Sequence, residues 1–283
     1  MINREQHITK RLKEHYDRVK SLGYEVFCIV VQGSQNYDMD VYTEEYQSDI
    51  DTRCIVLPKF EDFVAKKDSV SFTYEFPENK EHIDIKDIED MFSLWKKSNV
   101  QFLEILFSDF YYVPEKYKLT WEKLRANAEN FIRQGHQKML MKAIYGMAMQ
   151  KFEALTHPYP TIKWKIDKFG YDAKQAHHIL RLKEFAERFF IGNEKFKDCL
   201  IPKPLNRQYL TDLKIKNGLG MSVEEMKQLC KTTCDSIYTT RQVVCNTTDE
   251  GCCSKADEWL DNIRIDVLKR WFREELKKEI GRN

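Results

Sequence analysis

Asp49 and Asp51 stand two positions apart in SDIDTRCIVLP, an acidic pair at the head of an apolar, β-branched run. Side chains alternate across a strand, so the two carboxylates share one face while Ile50 takes the other. Such carboxylates lie within ~7 Å along the strand, and like charges that close call for a cation between them. Mg²⁺ suits the role, because it takes oxygen ligands at about 2.0–2.1 Å and commonly binds one or two carboxylates together with substrate phosphates. Two such ions about 3.5–4 Å apart clamp the attacking and leaving oxygens of an in-line phosphoryl displacement. A bare Asp-x-Asp also arises as a solvent-facing strand end, or with Asp49 capping a turn, so the neighbouring residues decide.

Upstream, the run EVFCIVV is punctuated by Gly33 and Ser34. A glycine lets the backbone approach a phosphate, and the N–H groups that follow, with the Ser34 hydroxyl, can bind the β and γ oxygens of a triphosphate. Downstream, EHIDIKDI alternates Ile83 and Ile85 with Asp84, which faces the same way as the acidic pair. Three carboxylates and a phosphate-binding turn are thus expected on one sheet face. Arg53 would share it, either as an ion-pair partner of the carboxylates or as a phosphate contact. Tyr37 either lines the nucleotide pocket or anchors the loop.

The elements that must position these groups follow from periodicity. Residues 2–21 read as a polar-faced helix ended by Gly23, EVFCIVV and CIVL as buried strands, and KFEDFVAKK as a short helix. SVSFTYEF and EHIDIKDI alternate around PENK and read as a β-hairpin over 70–86. After it only helical periodicity remains, in segments from MFSLWKKS to ADEWLDNIRIDVLKRWFREELKKEI, with irregular connections at THPYPTIKWKIDKFGYD and NTTDEGCC. The expected fold class is α+β: a small mixed β-sheet domain with flanking helices over 1–130, then an all-helical domain over 131–283.

GSQNY followed by SDIDTRCIV resembles the nucleotidyltransferases of the DNA polymerase beta superfamily, and most closely the bacterial and phage branch of RNA-repair-associated polymerase-beta-like proteins. The likeness continues through IDIKDIEDMFSLWKKSNVQFLEILFS, YGMAMQ and GYDAKQAHHILRL, over roughly residues 25 to 185. It implies Gly33 and Ser34 as the phosphate turn, Asp49 and Asp51 as the metal pair and Asp84 as the third carboxylate, which binds one of the ions and helps activate the acceptor hydroxyl. Asp38 stands where that branch usually carries glycine.

A second cluster joins the functional candidates. Between Thr161 and Lys183, six basic residues (Lys163, Lys165, Lys168, Lys174, Arg181, Lys183) face only Asp167 and Asp172. Lys174, His178 and Arg181 fall at i, i+4 and i+7 of one helix. They either neutralise a triphosphate or acceptor backbone, or form a solvated stripe. Trp164, Phe169 and Tyr171 either stack bases or pack the domain junction.

The chain of 283 residues has a formal charge of +1, so no global field draws it to nucleic acid or membrane, and any polyanion site must be local. No stretch approaches the ~20 apolar residues of a membrane helix, and the amino-terminal segment lacks an apolar secretory core, which together imply a cytoplasmic protein. Its eight cysteines then read as reduced thiols. Cys230 and Cys234, with Cys252 and Cys253, lack the spacing of a zinc site. The expected activity is transfer of a nucleoside monophosphate from an NTP to an acceptor hydroxyl, an RNA or tRNA end, with two Mg²⁺ (or Mn²⁺) and release of pyrophosphate. Two alternatives stand beside it: nucleotidylation of a protein or small molecule, and a non-catalytic nucleotide- or RNA-binding module.

Overall fold

A computed structural model describes residues 3–44, 46–248 and 253–280. A five-stranded mixed sheet of order β3-β4-β2-β1-β5 is built from β1 (Glu25–Gln32), β2 (Asp51–Leu57), β3 (Ser71–Glu75), β4 (His82–Asp87) and β5 (Tyr111–Tyr112). β2 runs parallel to β4; the other neighbours are antiparallel. The two central strands, β1 and β2, are the near-continuous apolar runs, as burial on both faces requires. The hairpin over 70–86 forms as β3 and β4. The two-residue edge strand β5 was not foreseen: a pair of tyrosines is too short to show alternation.

One sheet face is covered by α1 (Arg4–Ser21), whose Ile8, Leu12 and Val19 pack on Val26, Ile29, Val31, Cys54, Val56, Ile83 and Ile85. That Val26 and Ile29 share a face follows from a register shift between Val26 and Cys28, a bulge that resets the alternation of β1. On the other face Phe27 meets the rings of Tyr117 and Trp121 edge-on. These belong to α5 (Glu115–Phe131), which follows the short α2 (Phe60–Val64), then α3 (Ile88–Lys96) and α4 (Val100–Leu103).

By chain contacts the molecule divides into two compact units, residues 1–136 with 251–283, and residues 137–250. The second holds α6 (Gln137–Ala154), α7 (Lys163–Phe169), α8 (Ala173–Ala186), α9 (Phe196–Leu200), α10 (Pro204–Ile215) and α11 (Val223–Thr247). The connection expected to be irregular around 156–172 thus contains the seven-residue α7. The last helix, α12 (Cys253–Ile280), groups with the sheet: Lys96 binds Asp261 at 2.7 Å, Arg264 binds Glu89 at 2.5 Å, and Trp271 packs against Phe60 and Phe63. Among the described residues no helix is long and apolar enough to cross a membrane.

In the second unit Ile144 and Ala148 of α6 and Ile179, Leu182 and Phe185 of α8 are buried, as are Met226, Cys230, Cys234 and Ile237 of α11. Burial pushes the thiols of Cys230 and Cys234 up to about 12 and about 11, and both side chains pack inside the helical unit. Cys252 lies outside the described residues.

His177 of α8 is 5% exposed, and its Nδ1–H donates to the Leu210 carbonyl at 3.0 Å. Burial pulls its pKa from 6.5 down to about 3, against a smaller upward push from that carbonyl. Between those values the unfolded chain holds a proton that the folded chain lacks, so this contribution to stability is lost as the pH falls below about 6.5. One such group sets a slope of at most about 1.4 kcal/mol per pH unit. Thermal melts from about pH 7 to about pH 5 should fall in midpoint, and His177→Asn should flatten that fall; an equal slope in the variant would refute the assignment.

Candidate active site

β1 and β2 are antiparallel, and their pairing ends with Gln32 opposite Asp51. The residue after Gln32 is Gly33, at φ 87° and ψ −140°, a conformation open to glycine and strained for any other residue. A 3₁₀ turn, Ser34–Tyr37, follows, and Asp38 closes it in the left-handed region at φ 55°. Aspartate is among the few side chains that tolerate this region, which gives Asp38 a physical reason to replace a glycine there.

Glu104, 2% exposed, holds the turn from behind: it accepts the Gly33 N–H at 3.0 Å through Oε1 and the Tyr37 hydroxyl through Oε2. Through this bond Tyr37 ties the loop to Glu104, with its ring buried. The Gln35 amide donates to the Asp49 carbonyl at 2.8 Å and so ties the turn to the acidic segment. The Ser34 hydroxyl makes one long contact, 3.4 Å to the Gln35 side chain.

The strand begins at Asp51, so Asp49 is not on β2 but in the exposed extended segment just before it. Asp51 receives the backbone N–H of His82 at 3.1 Å and lies 2.8 Å from His82 Nδ1. That bond to Asp51 raises the pKa of His82 against the opposing effect of burial. Asp84 pairs in register with Arg53 across the parallel strands, on the face opposite the buried Ile83 and Ile85, as alternation requires. Its Oδ2 accepts from Arg53 Nε at 3.0 Å and from a terminal guanidinium nitrogen at 2.8 Å, and Lys86 lies 3.5 Å from its Oδ1. Arg53, 6% exposed, also donates to the Gln101 carbonyl at 2.9 Å and lies over the Phe102 ring. Burial lowers its pKa, and Asp84 and then Glu104 oppose that; a guanidinium remains charged in either case.

The three carboxylates thus come to the same end of the sheet in different states. Asp49 and Asp51 stand at the strand entrance beside the Gly33 turn, while Asp84 is already engaged by two cations. Among the described residues no group of three or more His, Cys, Asp or Glu side chains is arranged to hold a metal ion. The hard oxygen donors of Asp49 and Asp51 nonetheless fit the usual Mg²⁺ set, one or two carboxylates completed by substrate phosphate oxygens.

The basic candidates lie on α8 in the second unit. Lys174 is exposed, His178 half-buried and Arg181 buried. Burial, and after it the charges of His177, Arg181, Lys174 and Lys151, drive His178 well below its ordinary pKa, which disfavours its cationic form. Lys151, missed in the sequence, belongs to this set: burial and then Lys174 lower its pKa. Tyr171 is a packing residue, with its hydroxyl donating to the Met221 carbonyl at 2.8 Å, whereas Trp164 is 57% exposed.

Sequence reasoning also missed Glu104, His82 and Glu81. Glu104 did carry a signal, a lone carboxylate inside the apolar run VQFLEILF, because a carboxylate forced into a core must be given partners. His82 and Glu81 carried none, since each acts through a strand neighbour distant in sequence.

No curated protein matches the chain. Among solved structures, a nucleotidyltransferase-like protein from Exiguobacterium sibiricum 255-15 is similar at 11% identity and a TM-score of 0.30, covering 85% of this chain and 75% of that one. The model of the RNA repair pathway DNA polymerase beta family matches residues 5–183. With more than half of its length so matched, this chain belongs to the RNA repair pathway DNA polymerase beta family of nucleotidyltransferases.

Proposed function

We propose that this nucleotidyltransferase moves a nucleoside monophosphate from an NTP to a hydroxyl at an RNA or tRNA end. The observation that carries the reading is the meeting of two strand ends: the Gly33–Ser34 turn leaves β1 where Asp51 enters β2, and Gln35 joins the turn to Asp49. A triphosphate on the turn would place its oxygens beside both carboxylates, which attract an anion only with a cation present. Asp49 and Asp51 are the residues that would hold two Mg²⁺, or Mn²⁺. The bound ions would supply charge neutralisation at the α-phosphoryl group and the leaving pyrophosphate.

The chain's own groups have these roles in the proposal. The Ser34 hydroxyl and N–H groups of the turn hold the β- and γ-phosphates. The acceptor oxygen forms a bond to the α-phosphorus, the bond from that phosphorus to the bridging oxygen breaks, and pyrophosphate departs. Asp84 receives or relays the acceptor proton, and Arg53 holds its carboxylate in place. In the second unit, Lys174, His178 and Arg181 are proposed polyanion contacts, to a triphosphate or to an acceptor's phosphate backbone, with Lys151 added to them. The near-neutral net charge favours a second reading, a protein or small-molecule acceptor, because a long RNA footprint would ordinarily carry a larger basic excess.

Incubation with labelled NTPs, Mg²⁺ and total RNA should place label in the RNA; label on the protein itself, or on a small molecule, selects the second reading. Asp49→Asn with Asp51→Asn should lower transfer by ~10³-fold or more, as loss of an essential group does. Stability should stay within ~1 kcal/mol, because both positions are solvent-accessible; wild-type turnover by the folded double variant would end the proposal. Arg53→Met leaves the half-buried Asp84 carboxylate without its main partner and should cost ~2 kcal/mol in denaturant unfolding. Arg53→Lys should recover part of that stability but not the two-pronged grip on Asp84.

A further inference from the structure

Behind the acidic pair, on the sheet face covered by α1, lies a buried charged cluster. Glu81, 5% exposed, accepts the backbone N–H of Ile50 at 3.3 Å through Oε1. Its Oε2 accepts from Arg11 Nε at 2.7 Å and from Asn79 at 2.9 Å, and lies 3.2 Å from His15 Nε2. The other nitrogen of His15 is 2.9 Å from Thr52 Oγ1. The His15 ring stacks on Phe76 at 4.5 Å with an interplanar angle of 16°, and the Arg11 guanidinium lies over the same ring.

The two residues that this cluster grips, Ile50 and Thr52, flank Asp51. The side chains of Ile50 and Thr52 lie on the α1 side, and alternation along β2 turns that of Asp51 away from it, so the cluster touches the backbone on either side of Asp51 and not its carboxylate. Its neighbours Ile8, Leu12, Ile50 and Ile83 are all apolar and buried. An apolar side chain in place of Glu81 would fill that core at no desolvation cost, and buried ion pairs are commonly no more stabilising than apolar substitutes. What an apolar residue cannot supply is an acceptor for the Ile50 N–H and a fixed link from that peptide to α1.

We propose that Glu81, braced by Arg11 and His15, is a positioning residue that sets the spacing of the Asp49 and Asp51 carboxylates for divalent cations. The inference rests on the reading of these two aspartates as the cation-holding pair. Groups that orient a metal's ligands commonly govern affinity by ~10- to 100-fold.

The test is Glu81→Gln in the full chain, with Mn²⁺ binding measured by electron paramagnetic resonance without nucleotide, and transfer measured against Mg²⁺ concentration. Glu81→Gln should weaken Mn²⁺ binding and raise the half-saturating Mg²⁺ by ~10-fold or more. The NTP KM at saturating Mg²⁺ should stay within about twofold, a split that general loosening of the fold would not produce. Thr52→Val, which removes only the His15 contact to β2, should shift Mn²⁺ binding in the same direction by less, and it carries the test if Glu81→Gln fails to fold. Wild-type Mn²⁺ binding in the folded variants overturns the inference. Wild-type Mn²⁺ binding in Asp49→Asn with Asp51→Asn overturns instead the reading on which it rests.

Discussion

The backbone pairing of β1 with β2 is the constraint on which the candidate site depends. An antiparallel ladder places the exit of one strand beside the entrance of the other, so residues near 33 and 50 meet although a loop of some fifteen residues separates them. The ladder must also stop there. Gly33 ends it by leaving the β region at φ 87°, which frees the chain to turn across the strand end. A residue with a Cβ at this point would resist the turn, and the Ser34 hydroxyl would no longer stand next to the acidic segment.

Charge inside the sheet unit is handled by pairing rather than by exposure. Glu104, Glu81 and Arg53 are each nearly inaccessible, and each has several hydrogen-bond partners. An unpaired charge at any of the three would cost several kcal/mol, so the partners must be in place before the backbone they hold is well determined. The consequence is a division of labour among carboxylates of the same chemical type. Glu104 and Glu81 face inward and hold backbone N–H groups of Gly33 and Ile50. Asp49 and Asp51 face the strand entrance, where solvent and a ligand can reach them. Asp84 stands between these conditions, within reach of solvent yet clasped by Arg53 and Lys86. Its orientation is therefore governed by its neighbours on β2 and β4.

The chain leaves the sheet unit after residue 136 and re-enters it at 251, so α12 packs with elements more than a hundred residues earlier in sequence. Lys96, Glu89 and Thr120 on the sheet side find Asp261, Arg264 and Asp266 on this helix. Nothing in its periodicity distinguishes α12 from α11, because an amphipathic face reports that a helix is buried on one side and not against what.

Local sequence determined the strands with long β-branched runs, the hairpin, the Gly33 turn and the inward and outward alternation around Asp84, because each rests on contacts a few residues apart. The acidic and glycine motifs likewise named a nucleotidyltransferase family before any distance was known. Tertiary structure alone decided that Asp49 lies ahead of its strand, that Arg53 and Lys86 take Asp84, that burial lowers the pKa of His178, and that Glu104 and Glu81 hold the N–H groups of Gly33 and Ile50. The physical reason is common to all four. Strand boundaries, ion pairs and proton affinities depend on which distant groups the fold brings within a few ångströms, and on how much water it removes, and neither quantity is written in the neighbourhood of the residue concerned.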